Sequence, residues 1–244
     1  MKSSAILKEV AENLKLTVER LNKVKALEEK DKKKAIRLLM EASDNFLRLS
    51  DEVEIDNEQL AEFFRKRSVQ LKNNAHDKGI ERMGRKEFLN EVKRMNLYSK
   101  AAPYDFKPGK LRELKRAYRT FIFGMALYFL LSGLSLRQEF AITGLILAIP
   151  AILSMLSLQR RGYTGWMLAF AVAPIPIIQS AIIVRMFYSV VSNPEVVKKV
   201  AEFLGKSEGF VMGYSYAVML LATLDFILLT YGLYSLYKHR HAFL

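Results

Sequence analysis

Asp225 is the residue whose surroundings say most about chemistry. It sits in LLATLDFILLT, inside a long apolar run. A carboxyl at membrane depth is costly, so it marks an ion or proton path, or else a neutral group hydrogen-bonded to a neighbouring helix. Gln179 lies at comparable depth in another apolar run, and Arg185 lies towards that run's end. Arg185 is about 31 Å along a helix from Thr164, so it is expected to snorkel to the headgroups, and a pair with Asp225 is not assured. Pro174 and Pro176 interrupt the same run. Each removes an amide and frees a carbonyl one turn earlier, giving either a kink or a broken helix that builds an ion site.

Other chemistry finds no support. Cysteine is absent, which excludes disulfides, thiol nucleophiles and thiolate metal sites. The three histidines are His76, His239 and His241, and no carboxylate cluster joins the last two at metal-ligand spacing. No metal and no cofactor is expected. The GxSxG pattern is missing, as is GxxxxGK followed by Ser or Thr. Residues 117–244 hold only five acids, and the acids of the first half read as solvated surface, so an enzyme is not expected.

The elements that position these residues follow from charge and hydropathy. The 244 residues carry 38 Lys+Arg and 25 Asp+Glu, a net of +13, with a mean hydropathy of +0.06. That average hides two unlike halves. Residues 1–116 hold 28 basic and 20 acidic residues, whereas residues 117–244 hold 10 and 5. Four spans are predicted in the second half: 118–136, 140–158, 163–184 and 210–237. Each approaches or exceeds the ~20 residues a helix needs to cross the hydrocarbon, where every backbone group must be satisfied internally. Only residues 137–139 join the first two, so they form a tight antiparallel hairpin. The pair Gly209 and Gly213 has the spacing of a close helix contact. Residues 193–204 form a short amphipathic stretch suited to the outer interface.

Lys/Arg placement orients the spans. Lys107, Lys110, Arg112, Lys115, Arg116 and Arg119 crowd the start of the first. Arg160 and Arg161 lie in the second-to-third loop, and Lys238 and Arg240 close the last. On the opposite side, bases are matched by acids. The expectation is a multi-pass protein of the cytoplasmic membrane with both termini cytoplasmic. Residues 1–30 contain no apolar core behind a basic start, so secretory cleavage is not expected. Tyr214 and Tyr216 at one end of the last span, and Tyr231, Tyr234 and Tyr237 at the other, read as interfacial anchors.

The first half reads as a three-helix bundle over residues 1–78. Leu7, Leu14 and Leu21, with Val10 and Val24 between, form one apolar stripe. After a break near residues 29–31, where Asp31 is a candidate cap, Ala35, Leu39, Ala42, Phe46 and Leu49 share a face. A polar turn with Asp56 or Asn57 as cap leads to Leu60, Phe64, Leu71 and Ala75. Residues 79–117 form a basic helical linker, with a helix over 81–97 (Met83, Phe88, Val92, Met95) and a break at AAPYDFKPG. The fold class is all-α: a cytoplasmic three-helix bundle, this linker, and a four-helix transmembrane domain over 118–244.

Residues 33–75, KKAIRLLMEASDNFLRLSDEVEIDNEQLAEFFRKRSVQLKNNA, resemble the second and third helices of an MIT (microtubule-interacting and trafficking) domain. Ala35-Ile36 and Glu41-Ala42 match the family's AxxLYxEAxxxLL pattern, and Phe46-Leu47 stands for its apolar pair. Arg67-Ser68-Val69-Gln70-Leu71 takes the place of the Arg-Ala-Glu-x-Leu ending. The usual Tyr is replaced by Leu39 or Met40. The resemblance implies binding of tail peptides, typically from ESCRT-type filament proteins, in a groove between helices. Leu38, Met40, Leu60, Phe64 and Leu71 would line it.

Charge is uneven. Residues 41–62 hold eight acids and one base, and residues 65–119 hold 17 bases and six acids. The acidic stretch is either a recruiter of basic tails or a solvated face. The basic stretch suits an anionic inner leaflet. No nucleic-acid recognition fold or aromatic platform is present, so nucleic acid is not an expected partner. The favoured expectation is an integral membrane adaptor or scaffold with a protein partner, lipid contacts and room for homo-oligomers. The alternative is a small oligomeric channel or transporter built on Asp225, Gln179 and the proline-broken third span.

Overall fold

The computed structural model describes residues 1–135 and 137–243; Leu136, the predicted end of the first span, lies outside the described residues. The described residues are helical, without strands, and divide into two compact units, Met1–Arg112 and Glu113–Phe243.

In the first unit, α1 (Lys2–Asn22), α2 (Glu29–Asp51) and α3 (Glu58–Asn74) form the expected bundle. The stripes predicted on α1 and α2 are the buried faces: Leu7, Val10, Leu14 and Leu21 meet Ala35, Leu39, Ala42, Phe46 and Leu49. Loops are tied by side-chain oxygens of Asn and Asp. Asn57 caps α3 by accepting from Leu60 N at 3.2 Å. Asp56 caps the start of α1 from a distance, accepting from Ser3 N at 2.8 Å and from the Ser3 hydroxyl. Asp77 holds the α1–α2 loop through Ala26 N (2.7 Å) and Lys25 N (2.8 Å). Asp31 is not a cap. Glu28 holds the N-cap position in extended backbone, and Asp31 lies inside the first turn of α2, where its charge suits the helix dipole.

The unit runs on past residue 78. Next come α4 (Asp77–Met83), α5 (Arg85–Ala101) and α6 (Pro103–Phe106). Gly84 divides the predicted helix over 81–97, with φ of +90°, a conformation that favours glycine. The stretch is not a linker. Phe88, Val92, Met95 and Phe106 are buried in the same core as α1–α3. Phe106 O also accepts from Glu54 N and Ile55 N at 3.1 and 3.2 Å. Thus α5 adds a fourth helix, laid on α2 and α3. Polar contacts fix it there: Asn96 Nδ2 donates to Leu38 O and to Glu41 Oε2, each at 3.0 Å, and Lys100 pairs with Glu41 at 2.9 Å. The Lys100 hydrogen bond holds the Glu41 carboxyl below its ordinary range.

The second unit is built on α7 (Pro108–Leu134), whose first residues belong to the bundle unit. It continues with α8 (Gln138–Gln159), α9 (Tyr163–Val172), α10 (Pro174–Val191), α11 (Pro194–Leu204) and α12 (Glu208–Lys238). Four stretches of 27, 22, 29 and 31 residues are long and apolar enough to cross a membrane, with α9 and α10 forming the third. Large apolar side chains point outward, with Leu145 75% and Ile149 71% exposed on α8. Such a surface calls for lipid rather than water.

Inside the unit, glycines let backbones meet. A Cβ on Gly232 would stand 2.9 Å from the Phe121 backbone, and one on Gly124 would stand 2.7 Å from Leu229. These contacts set α7 antiparallel to α12. Gly144 faces Ser132, which brings α8 against α7, and Gly165 of α9 abuts Ser154 and Leu158 of α8. The predicted contact at Gly209 and Gly213 is not made, because both face open space. The amphipathic stretch is α11, capped by Asn193 and ended by Gly205 at φ +61°. Val197 and Ala201 pack on Val211, while Phe203 is 89% exposed.

Candidate functional site

The structure sets a small polar cluster between α7, α10 and α12. Asp225 is fully buried, and its Oδ2 lies 2.5 Å from Ser180 Oγ. Ser180 Oγ also lies 2.9 Å from Pro176 O. A serine hydroxyl has one hydrogen and cannot donate both bonds. Both are made when Asp225 carries its proton and donates to Ser180, which then donates to Pro176 O. Beside this chain, Tyr128 OH donates to Gln179 Oε1 at 2.6 Å. One turn on from the Gly124–Leu229 contact, the antiparallel register sets Tyr128 across from Asp225. Ala222 and Leu229, one turn to either side of Asp225, are fully buried, so the layer is closed by apolar groups. Asp225 Oδ1 has no hydrogen-bond partner among the described residues.

Gln179 and Asp225 are thus brought together, and Arg185 is not. Arg185 is exposed on α10 and makes no ion pair with Asp225 among the described residues. The prolines do not break the helix. Ala173 keeps right-handed helical backbone, its N–H reaches Ala169 O at 3.0 Å, and Ile177 N reaches Ala173 O at 3.2 Å. Sequence reading missed Tyr128 and Ser180. A mid-span tyrosine was the available signal, because a buried phenol seeks a partner. It also missed Pro150 inside α8.

The residues expected to line a partner groove divide. Phe64 and Leu71 are core residues, 3% exposed each, and cannot be contact residues. Phe64 packs on Phe46 at 5.2 Å and under Tyr98 of α5 at 6.0 Å. Leu38 and Leu60 are half-buried against the same core, and Met40 is 55% exposed. The face between α2 and α3 is therefore covered by α5.

An open furrow runs instead along α1, α3 and α4. Two depressions of ≈ 520 and ≈ 580 Å³ share Asn73. Arg65, Lys66 and Arg82 line one, with Glu9 paired to Arg65 at 3.5 Å. Arg20 and Lys23 line the other, beside Asp77. The acidic turn is already engaged within the bundle: Asp51 with Lys8, Glu52 with Lys107, Asp56 with Ser3 and Glu58 with Lys2. Lys107 is thus held by Glu52 and is not a free lipid contact. Lys110, Arg112, Lys115, Arg116 and Arg119 are exposed on α7.

Tyr216, Tyr231, Tyr234 and Tyr237 are exposed, as anchors should be, whereas Tyr214 is half-buried and donates to Leu134 O. No group of three or more His, Cys, Asp or Glu fit to hold a metal occurs among the described residues. Comparison with family models, curated proteins and solved structures finds no match.

Proposed function

We propose that the protein is an integral membrane adaptor or scaffold, anchored by four spans, whose helical bundle docks a segment of a protein partner. The observation that carries this reading is the contrast between the two charged surfaces of the bundle. Asp51, Glu52, Asp56 and Glu58 are engaged within the bundle, while Lys66 and Arg82 in one part of the furrow, and Arg20 and Lys23 in the other, make no ion pair among the described residues. The amides of Gln70 and Asn73 lie exposed along the same furrow and suit a peptide backbone. The fitting partner is an acidic tail peptide rather than a basic one. The MIT-like pattern over residues 33–75 supports the same class of partner, with the contact surface moved away from the face that α5 covers. Clustered Lys/Arg at Arg160, Arg161, Lys238 and Arg240 supports cytoplasmic termini in a cytoplasmic membrane. Homo-oligomers are compatible with this reading and not required by it.

The test uses the full chain in its native membrane. A photo-cross-linking residue at Asn73 is expected to give one discrete protein adduct, lost when Lys66→Glu and Arg82→Glu reverse the lining. An adduct indifferent to the reversal, or none, would sink the adaptor reading. One observation favours a second reading, a small oligomeric channel or transporter: Asp225 Oδ1 is buried without a partner. That reading requires ion flux in proteoliposomes that Asp225→Asn abolishes.

A further inference from the structure

The α7/α12 seam is tight at Gly124 and Gly232 and is indented further along, near the start of α7 and the end of α12. There a groove of ≈ 260 Å³ lies between the helices, lined by Glu113, Arg116, Tyr231, Tyr234, Ser235, Lys238 and His239. Ala117 and Ser235, both small, lie among the longer side chains of the lining. Arg116 and Lys238 make no ion pair among the described residues, and both are exposed. The apolar run of α12 ends at Lys238, so the groove lies at headgroup depth. Tyr231 and Tyr234, 61% and 66% exposed, are the residue type that settles there.

Below the groove the surface turns apolar. Phe123 lies seven residues beyond Arg116 on the same face of α7 and is 68% exposed. Ile227 lies seven residues before Tyr234 on α12 and is 55% exposed. Two cations and three hydroxyls stand over an apolar track, which is the shape of a phospholipid set against a span.

We propose that this groove binds one anionic phospholipid, its phosphate held between Arg116 and Lys238 and one acyl chain laid along Phe123 and Ile227. Ser235 Oγ and the two tyrosine hydroxyls are the neutral donors lining the same space. This differs from a diffuse attraction of the basic start of α7 to an anionic leaflet. A diffuse field counts charges wherever they stand, whereas a groove depends on two of them.

The test is native mass spectrometry of the full chain, released from nanodiscs of mixed phosphatidylglycerol and phosphatidylcholine. One retained phosphatidylglycerol per chain is expected. The pair Arg116→Gln with Lys238→Gln is expected to weaken retention about thirtyfold, in line with two cations lost near an anionic lipid. The pair Arg160→Gln with Arg240→Gln removes the same charge from exposed positions at the same end of the spans and is expected to retain the lipid. Lys238→Arg, which keeps the charge, is expected to retain the lipid beside wild-type Arg116. Equal loss in both neutralised pairs would assign the effect to diffuse charge and overturn the proposal, as would equal retention of the two lipids by the wild type. Displacement of the lipid by millimolar inorganic phosphate would make this a free-phosphate site and overturn the lipid assignment.

Discussion

Asp225 and Ser180 show how a single hydrogen decides what a buried residue does. Ser180 can satisfy both Pro176 O and Asp225 only if the carboxyl brings its own proton. The bond then ties α10 to α12 as two neutral groups, with no ion left in hydrocarbon. Asp225→Asn should preserve it, because the amide donates to Ser180 as the carboxyl does, and stability should change by less than ~1 kcal/mol. Ser180→Ala leaves the carboxyl unpartnered and should cost about 1–3 kcal/mol. Reversible unfolding in mixed micelles measures both. A charged carboxyl would invert the pattern, with Asn the more damaging change. In the bundle, Asp56 and Asp77 work as ions. The Ser3 hydroxyl and amide hold Asp56 below the usual carboxylate range, and the Ala26 and Lys25 amides do the same for Asp77. A lowered folded pKa gives stability that is complete above the unfolded value and lost as pH falls through the folded one. The bundle's melting temperature should thus be flat near neutrality and fall below about pH 4. Asp77→Asn should shallow that acid fall when melting is followed by circular dichroism.

At the scale of the element, what was legible was what one helix carries by itself. The stripes of α1 and α2 and the four spans follow from period and length, which are properties of contiguous sequence. Asn57 as a cap is equally local. What involved two distant segments was not legible. The helix α5 reads as a polar linker because only Phe88, Val92 and Met95 mark its inner face, and nothing nearby says what covers them. Glycine contacts fail for the same reason. Gly209 and Gly213 have a recognisable spacing but face open space, while Gly124 and Gly232 touch the partner helix with no motif between them. The Asp225 site was half visible. A carboxyl in a span announces itself, but Ser180 and Tyr128 are ordinary residues until register aligns them. Gly232→Val should therefore overpack the seam against the Phe121 backbone and cost about 1–3 kcal/mol. Gly213→Val, in open space, should stay within about 0.5 kcal/mol. Equal tolerance at the two positions in micelle unfolding would mean that α7 and α12 are not held in this register.

At the scale of the whole molecule, the division of the chain bears on where a partner can bind. The described core of the first unit draws on residues beyond 78, because Phe88, Val92, Met95, Ala102 and Phe106 are buried in it. Without them, Phe64 and its neighbours on α2 and α3 would face water, and a bundle of some 80 residues has little stability to spare. A fragment of residues 1–112 should unfold in a single cooperative transition, with near-ultraviolet circular dichroism from packed aromatic rings. A fragment of residues 1–78 should keep helical far-ultraviolet signal but lose that packing and bind a hydrophobic dye, as loosely packed states do. The comparison also tests function. If the shorter fragment unfolds as cooperatively as the longer one, α5 is a removable cover. The α2/α3 face with Leu38, Leu60 and Phe64 would then be open to a partner able to displace it. If it does not, that face is closed for as long as the protein is folded, and the proposed partner would be left with the furrow along α1 and α3.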